Sequence, residues 1–180
     1  MPKDLAEERL ESVEVFSGRL LKVRRDRVRL PDGGESLREY IRHPGAVAIV
    51  PLFEDGRVLL ERQFRYPLER VFVEIPAGKL EPGEDHLETA KRELLEETGY
   101  VAREWRRLGL IHNAIGYSDE GIEIWTARGL ELREQQLAEG EFLEVFTLPL
   151  AEAQAMARDG RITDVKTIVG LLWLDARAAG

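Results

Sequence analysis

Apolar and polar residues alternate along the first part of the chain, with the period of two that is typical of a half-buried β-strand. The alternation covers residues 12–30 and is interrupted at 17–18, so it predicts two strands. A turn at 31–34 and a third predicted strand at 37–42 complete a thin antiparallel sheet. Residues 1–11 are polar and are interpreted as a loosely held N-terminal arm.

The pattern then becomes apolar on both faces. Residues 46–53 form such a run, which predicts a central strand that is covered on two sides. The turn at 54–56 and the segment 57–64 predict a hairpin between this strand and the next one. A further strand is predicted at 71–75, directly before a turn rich in glycine and proline.

The second half of the chain predicts three strands followed by two helices. The predicted strands are 104–111, 121–127 and 141–146, and the predicted helices are 150–158 and a last one capped by Thr163 and Asp164. We find no internal repeat and no interdomain linker. The whole pattern predicts one α/β domain with a mixed sheet and flanking helices.

The stretch from Gly78 to Tyr100 carries seven carboxylates in one turn and one helix. Asp85 is predicted to cap this helix and Gly99 to end it. Glu93 and Glu97 are four residues apart, so their side chains lie on one face of the helix.

Carboxylates stacked in this way repel one another unless a cation neutralises them. Glu96 lies beside the stacked pair, and Arg92 lies one turn before Glu96. Hard divalent cations such as Mg²⁺ bind carboxylate oxygens together with substrate phosphates. The helix is therefore interpreted as a metal site, and the alternative is an acidic face in contact with solvent.

Composition narrows the class of protein. With 180 residues, 43% hydrophobic and 33% charged, the chain is typical of one soluble globular domain. The N-terminus is charged and no apolar run is long enough to cross a bilayer, so we expect no membrane partner and a cytoplasmic location. The absence of cysteine excludes disulfides, thiolate catalysis and cysteine-based zinc sites. The net charge of −8 disfavours nucleic acid as a partner.

The spacing of the acidic stretch resembles the Nudix box. Gly78, Glu84, the run Arg92-Glu93-Leu94, the pair Glu96-Glu97 and Gly99 stand at its fixed positions, and Tyr100 replaces the commoner aliphatic residue. The flanking sequence resembles the branch of ADP-ribose pyrophosphatase-like enzymes. The flanks that carry this likeness are 46–51, 62–67, 74–78, 116–120 and 160–173.

The resemblance implies a fold, a reaction and an assembly. The expected fold is a Nudix-type α/β/α sandwich, with residues 1–43 as a dimerisation sheet and 44–180 as the hydrolase domain of a homodimer. The expected reaction is Mg²⁺-dependent hydrolysis of the pyrophosphate bond in ADP-ribose or a related nucleoside diphosphate sugar, with Mn²⁺ as a substitute metal. The products are a nucleoside monophosphate and a sugar phosphate.

The resemblance also implies roles for residues of the box. Glu93 and Glu97 match the principal metal ligands, Glu96 a further ligand and catalytic group, and the Ala77 carbonyl an additional ligand. Arg92 is expected to orient the glutamates by charge-assisted hydrogen bonds, with Glu84 as its partner.

A general base is expected from a loop downstream of the box. Glu139 is the candidate base, and Glu141 is the candidate metal ligand or water-positioning group. The alternative is that both are exposed loop carboxylates. A loop that closes over the substrate would suit either role.

Four residues outside the box are candidates for substrate binding. Arg65 suits the diphosphate because its guanidinium is planar and cationic, and the alternative is a surface salt bridge. Glu74 is a candidate for the ribose hydroxyls. Phe16 and Arg38 resemble positions that sandwich adenine across a dimer, although Phe16 also suits a plain core role.

The sequence departs from the family pattern at one place. Ile115 stands where enzymes dedicated to ADP-ribose usually have proline, sixteen residues beyond the last glycine of the box. This leaves the second moiety of the substrate open. Alternative functions are a pyrophosphatase for oxidised nucleoside triphosphates or dinucleotides, and a nucleotide-sensing module without catalysis.

Overall fold

The computed structural model describes residues 4–135, 137, 140 and 142–177. Within these residues the strands are β1 (Glu8–Ser17), β2 (Lys22–Arg29), β3 (Glu35–Arg42), β4 (Ala46–Pro51), β5 (Arg57–Arg65), β6 (Arg70–Glu74), β7 (Ala77–Lys79), β8 (Tyr100–His112), β9 (Gly121–Leu132) and β10 (Leu143–Pro149). The helices are α1 (His86–Thr98), α2 (Leu150–Asp159) and α3 (Val165–Arg177), and a 3₁₀ turn, Tyr66–Leu68, follows β5. No helix in this part of the chain is both long and apolar enough to cross a membrane.

The first compact unit holds the strands up to Pro44 together with the loop His112–Glu120. Strands β1, β2 and β3 form an antiparallel sheet in that order. The loop joins this unit through backbone hydrogen bonds, among them Ile41 N–H to the Tyr117 carbonyl at 2.8 Å. The predicted division at residue 43 would instead leave this loop with the hydrolase domain.

The polar N-terminal arm predicted for residues 1–11 is wrong from Glu8 onward, because β1 begins there. Cross-strand ion pairs accommodate the polar side chains of this segment in a strand. Arg27 of β2 pairs with Glu11 of β1 and with Glu35 of β3, and Glu8 pairs with Arg29. Opposite charges on facing or diagonal positions of neighbouring strands are favourable, by a small amount where the side chains are exposed.

The second compact unit contains Gly45–Ile111 and Gly121–Gly180 and has two sheets. One sheet has the order β7-β4-β9-β8, in which β4 is parallel to β9 and antiparallel to β7. The other has the order β10-β5-β6 and is antiparallel throughout. The predicted mixed sheet is thus confirmed.

The predicted hairpin between the strands at 46–53 and 57–64 is wrong. Strands β4 and β5 belong to different sheets and share only an isolated bridge, Leu52 with Val58. Both edges of β4 are taken by β7 and β9, which leaves no edge for β5. The turn at 54–56 therefore carries the chain from one sheet to the other.

Strand β4 lies between two hydrophobic clusters, and its successive residues face opposite ways. Val47 and Ile49 pack with Ala90 and Leu94 of α1. Its alternate residues pack with α2 and α3 in a larger cluster, which includes Ala46, Ala48, Val50, Ala153 and Leu171. All six residues of β4 are buried, and this arrangement confirms the predicted α/β/α sandwich.

Candidate active site

Helix α1 forms where local signals predict it. The Asp85 carboxylate accepts hydrogen bonds from the backbone N–H groups of Leu87 and Glu88, as an N-cap does. At the other end Gly99 adopts a left-handed conformation with φ 74°, and its N–H donates to the Leu95 carbonyl. The helix therefore has fixed ends and presents its acidic face in a defined orientation.

Arg92 contacts three of the carboxylates of this stretch. Its Nε and Nη2 donate to the two carboxylate oxygens of Glu84 at 3.0 and 2.9 Å. Its Nη1 donates to Glu93 at 2.8 Å and to Glu96 at 3.1 Å. A single guanidinium thus holds the side chains of Glu84, Glu93 and Glu96 at once, which is the geometry that an orienting residue needs.

The contact with Arg92 also changes the pKa of Glu84. The hydrogen bonds from Arg92 lower the pKa of the Glu84 carboxyl from 4.5 to about 2, against a smaller opposing effect of desolvation. The same pairing raises the pKa of Arg92 above its usual range. Glu84 therefore stays ionised in more acidic solution than an ordinary glutamate, and it accepts hydrogen bonds from Arg92.

Glu97 joins the helix to β7. Its residue is only 3% exposed, and its Oε2 accepts a hydrogen bond from the Ala77 N–H at 2.9 Å. A buried carboxylate needs such partners because the loss of hydration would otherwise disfavour its charge. This hydrogen bond brings together Glu97 and Ala77, the residues of two candidate metal ligands.

Glu93 lies directly over the backbone of Gly78. A Cβ atom at position 78 would be 1.8 Å from the Glu93 Cδ and 1.9 Å from its Oε1. A side chain at position 78 would therefore have to displace the Glu93 carboxylate. The glycine at the start of the box therefore leaves room for the close approach of a candidate metal ligand.

The donor set fits a hard divalent cation in its chemistry. Glu93, Glu96, Glu97 and the Ala77 carbonyl offer oxygen atoms alone, which Mg²⁺ prefers. Among the described residues, no three side chains of His, Asp or Glu meet in the geometry of a closed metal cluster. Here Glu93 and Glu96 are held by Arg92, and Glu97 by a backbone N–H.

A second ionic cluster lies at the end of β6. Arg65 donates from Nε and Nη2 to the two oxygens of Glu74, at 2.7 and 2.8 Å, and Lys166 of α3 donates to Glu74 Oε2. Glu74 is 2% exposed and Lys166 is 8% exposed. Burial raises the pKa of Glu74, but the hydrogen bonds from Arg65 and the charge of Lys166 outweigh it and hold this pKa below its usual range.

These contacts bear on two predicted substrate ligands. Both oxygens of Glu74 accept hydrogen bonds from protein cations, so its proposed contact with ribose hydroxyls would need those bonds to rearrange. The Arg65 side chain remains 42% exposed while it makes its ion pair. Sequence reasoning missed Lys166, because no local pattern connects position 166 with position 74.

Phe16 and Arg38 belong to the N-terminal unit. Phe16 is 55% exposed on β1, so it does not fill the core role that the sequence also allowed. Arg38 of β3 donates to both carboxylate oxygens of Glu7, at 2.9 and 2.5 Å. Glu139 and Glu141, the candidates for base and further metal ligand, lie outside the described residues.

The capped acidic helix, its glycine-rich approach and the two-sided sandwich together define a class of hydrolase. The sequence model of the NUDIX domain matches residues 42–168, and the model of the nucleoside diphosphate sugar hydrolase N-terminal domain matches residues 7–41. The chain therefore belongs to the Nudix hydrolase family.

Individual relatives cover nearly the whole chain. A methanol dehydrogenase activator of Bacillus methanolicus is 41% identical, over 99% of this chain and 98% of that protein. An ADP-ribose pyrophosphatase of Bacillus subtilis is 38% identical, over 98% of this chain and 97% of that protein. A crystal structure of an ADP compounds hydrolase superposes with a TM-score of 0.88 at 26% identity, covering 99% of this chain and 97% of that one.

Proposed function

We propose that this Nudix hydrolase cleaves the pyrophosphate bond of ADP-ribose or a related nucleoside diphosphate sugar, giving a nucleoside monophosphate and a sugar phosphate. The observation that carries the proposal is the Nudix helix itself, with Glu97 bonded to Ala77 and Glu93 seated over Gly78. The match of residues 7–41 to the N-terminal domain of nucleoside diphosphate sugar hydrolases supports the substrate class. The ADP-ribose pyrophosphatase of Bacillus subtilis, similar along the whole chain, supports it further.

Nudix hydrolases need a divalent metal, and we propose Mg²⁺ as the natural ion with Mn²⁺ as a substitute. Glu93, Glu96, Glu97 and the Ala77 carbonyl would hold it, and Glu141 is proposed as a further ligand. Such an ion, when bound, neutralises phosphate charge and acidifies a water molecule.

The protein's own residues would then position the reacting groups. Arg92 holds Glu93 and Glu96 in place and pairs with Glu84. Arg65 is proposed to bind the diphosphate with the part of its guanidinium that stays exposed. Glu139 is proposed as the base that takes the proton from the attacking water.

We propose a homodimer in which residues 1–43 form the shared sheet. Phe16, Val13 and Leu37 are exposed to about half or more of their surface, and their strand partners are Val23, Arg25 and Arg27. Those partners alternate along β2, so the three apolar side chains share one face. A second copy would cover this face and bring Phe16 against adenine. Arg38 pairs with Asp26 and so lies on the opposite face, from which its proposed contact with adenine would have to come. A cytoplasmic location stays a prediction from sequence.

The direct test is a substrate panel with purified protein and Mg²⁺ or Mn²⁺. We expect AMP and ribose 5-phosphate from ADP-ribose, or the matching products from another nucleotide sugar, and at least about a hundredfold loss in Glu97→Gln. Release of inorganic pyrophosphate from oxidised nucleoside triphosphates would favour that alternative. If no nucleotide sugar or dinucleotide is cleaved and Glu97→Gln changes nothing, the nucleotide-sensing alternative replaces our proposal.

A further inference from the structure

The four residues from Glu74 to Ala77 connect β6 to β7, and each of them is hydrogen-bonded to another part of the second unit. Glu74 is bound by Arg65 and Lys166. The Ile75 N–H donates to Thr167 Oγ1 at 2.9 Å. The Pro76 carbonyl accepts from the Ile49 N–H at 2.8 Å, and the Ala77 N–H donates to Glu97 at 2.9 Å. The position of Ala77, and of the Glu97 carboxylate bonded to it, therefore depends on this connection.

Thr167 gives this connection a fixed polar anchor. Its residue is fully buried, and its hydroxyl accepts the hydrogen bond from Ile75. The same hydroxyl donates to Asp164 Oδ2 at 2.6 Å, and the Thr167 N–H donates to that oxygen at 3.0 Å. A hydroxyl has one hydrogen to donate. The bond that it donates to Asp164 and the bond that it accepts from Ile75 therefore determine its orientation.

Lys166 holds Glu74, the residue before Ile75, in a similar way. Its ammonium group bonds to Glu74 and, at 3.1 Å, to Asp164 Oδ2. The start of α3 thus holds Glu74 through an ion pair and Ile75 through a neutral hydrogen bond. Helix α3 and Ile75 are closely packed, because a Cβ at Gly170 of α3 would be 3.1 Å from Ile75 Cδ1.

We propose that Thr167 and Lys166 are positioning residues, which fix the Glu74–Ala77 connection and thereby orient Glu97 and the Ala77 carbonyl for metal binding. Helices α1 and α3 pack on opposite faces of β4, in separate hydrophobic clusters. The connection links the two layers through hydrogen bonds at Thr167 and at Glu97. This inference rests on the proposed function, because it takes Glu97 as a metal ligand.

The test measures Mn²⁺ binding to the folded protein without substrate, from the electron paramagnetic resonance signal of free Mn²⁺. Thr167→Val keeps the shape of the side chain and removes the hydroxyl, and we expect it to raise the Mn²⁺ Kd at least about tenfold. Thr167→Ser restores the hydroxyl and should bind Mn²⁺ as the wild type does. Thr163→Val is the matched control, because this exposed threonine of the same turn contacts Arg70 instead.

Thermal melting of each variant separates positioning from stability. If Thr167→Val does not fold, Thr167→Ala replaces it, since its smaller side chain leaves room for a water molecule beside the Ile75 N–H. Normal Mn²⁺ binding by a folded Thr167 variant overturns the inference, whatever its melting temperature. Equal weakening by Thr163→Val, or failure of serine to restore binding, overturns it as well.

Glu97→Gln separates a failure of the positioning role from a failure of the proposed metal site. Weaker Mn²⁺ binding in both Glu97→Gln and Thr167→Val supports the inference. If Mn²⁺ binding weakens in Glu97→Gln alone, the proposed metal site stands and only the role of α3 is refuted. If Glu97→Gln binds Mn²⁺ normally, the proposed metal site itself is wrong.

Discussion

The carboxylate of Glu93 occupies the space that a side chain at position 78 would need, with 1.8 Å from its Cδ to the site of a Cβ on Gly78. The first glycine of the box and a glutamate fifteen positions later therefore form one packing unit. A side chain at position 78 and the Glu93 carboxylate in its present position cannot occupy this space together.

We predict that Gly78→Ala displaces the Glu93 side chain and lowers kcat by at least about a hundredfold, as loss of a metal ligand's position should. Mn²⁺ binding should weaken in parallel. Gly116→Ala is the control for binding, because a Cβ there would meet no atom within 4 Å. Normal kcat in Gly78→Ala would show that Glu93 tolerates displacement and does not act as a ligand.

The pairing of Glu84 with Arg92 predicts a specific response to acid. The folded protein lowers the pKa of Glu84 from 4.5 to about 2, so its stabilising effect is fully present above pH 4.5 and is lost as the pH falls through 2. Glu84→Gln should therefore unfold at lower urea concentration than the wild type at pH 6, with the difference shrinking towards pH 2.

The matched control for this experiment is Glu88→Gln. Glu88 pairs with Lys91 at the exposed surface, and such pairs contribute little to stability. Its difference from the wild type should be small at every pH. A constant difference between Glu84→Gln and the wild type from pH 6 to pH 2 would contradict the assignment.

Arg65→Gln separates the two roles open to Arg65. If its exposed part binds the diphosphate, loss of a charge-assisted hydrogen bond should raise the KM for the substrate about tenfold to a hundredfold. Arg70→Gln is the control, because Arg70 lies opposite Arg65 on β6 and contacts Thr163 and the Phe72 ring. A lower melting temperature with unchanged KM would mean that Arg65 serves only to hold Glu74.

The homodimer predicts a sedimenting mass of about twice the 20.5 kDa of one chain. Phe16→Glu should shift the protein towards the monomer, because it replaces an exposed apolar side chain of the proposed contact face with a charged one. Glu14→Lys changes a charge opposite Arg24, on the other face, and should leave the mass unchanged. A wild-type protein that sediments as a monomer at micromolar concentration would refute the shared sheet.

The parts of the molecule that sequence predicted are those encoded by neighbouring residues. Helix α1 follows from the cap at Asp85, the spacing of Ala90 and Leu94, and the glycine at its end. The order of strands around β4 depended on residues that lie far apart in the chain, namely 77–79 and 121–127. The local turn at 54–56 indicates that the chain changes direction, but it does not indicate which sheet the next strand joins.

The same limit applies to the candidate site. The resemblance to the Nudix box was enough to pair Arg92 with Glu84, eight residues earlier. The burial of Glu74 between Arg65 and Lys166 joins positions 92 residues apart, and no periodic pattern encodes it. The hydrogen bond from Ala77 to Glu97 depends equally on how β7 packs against α1.

The burial of β4 on both faces has a consequence for how this family can diverge. A larger residue at Val47 or Ile49 would need a smaller one in the layer of Ala90 and Leu94. Compensation for a change at Val50 would instead come from α2 or α3. In homologous sequences, covariation with α1 should therefore appear at every second position of this strand and be absent from the positions between.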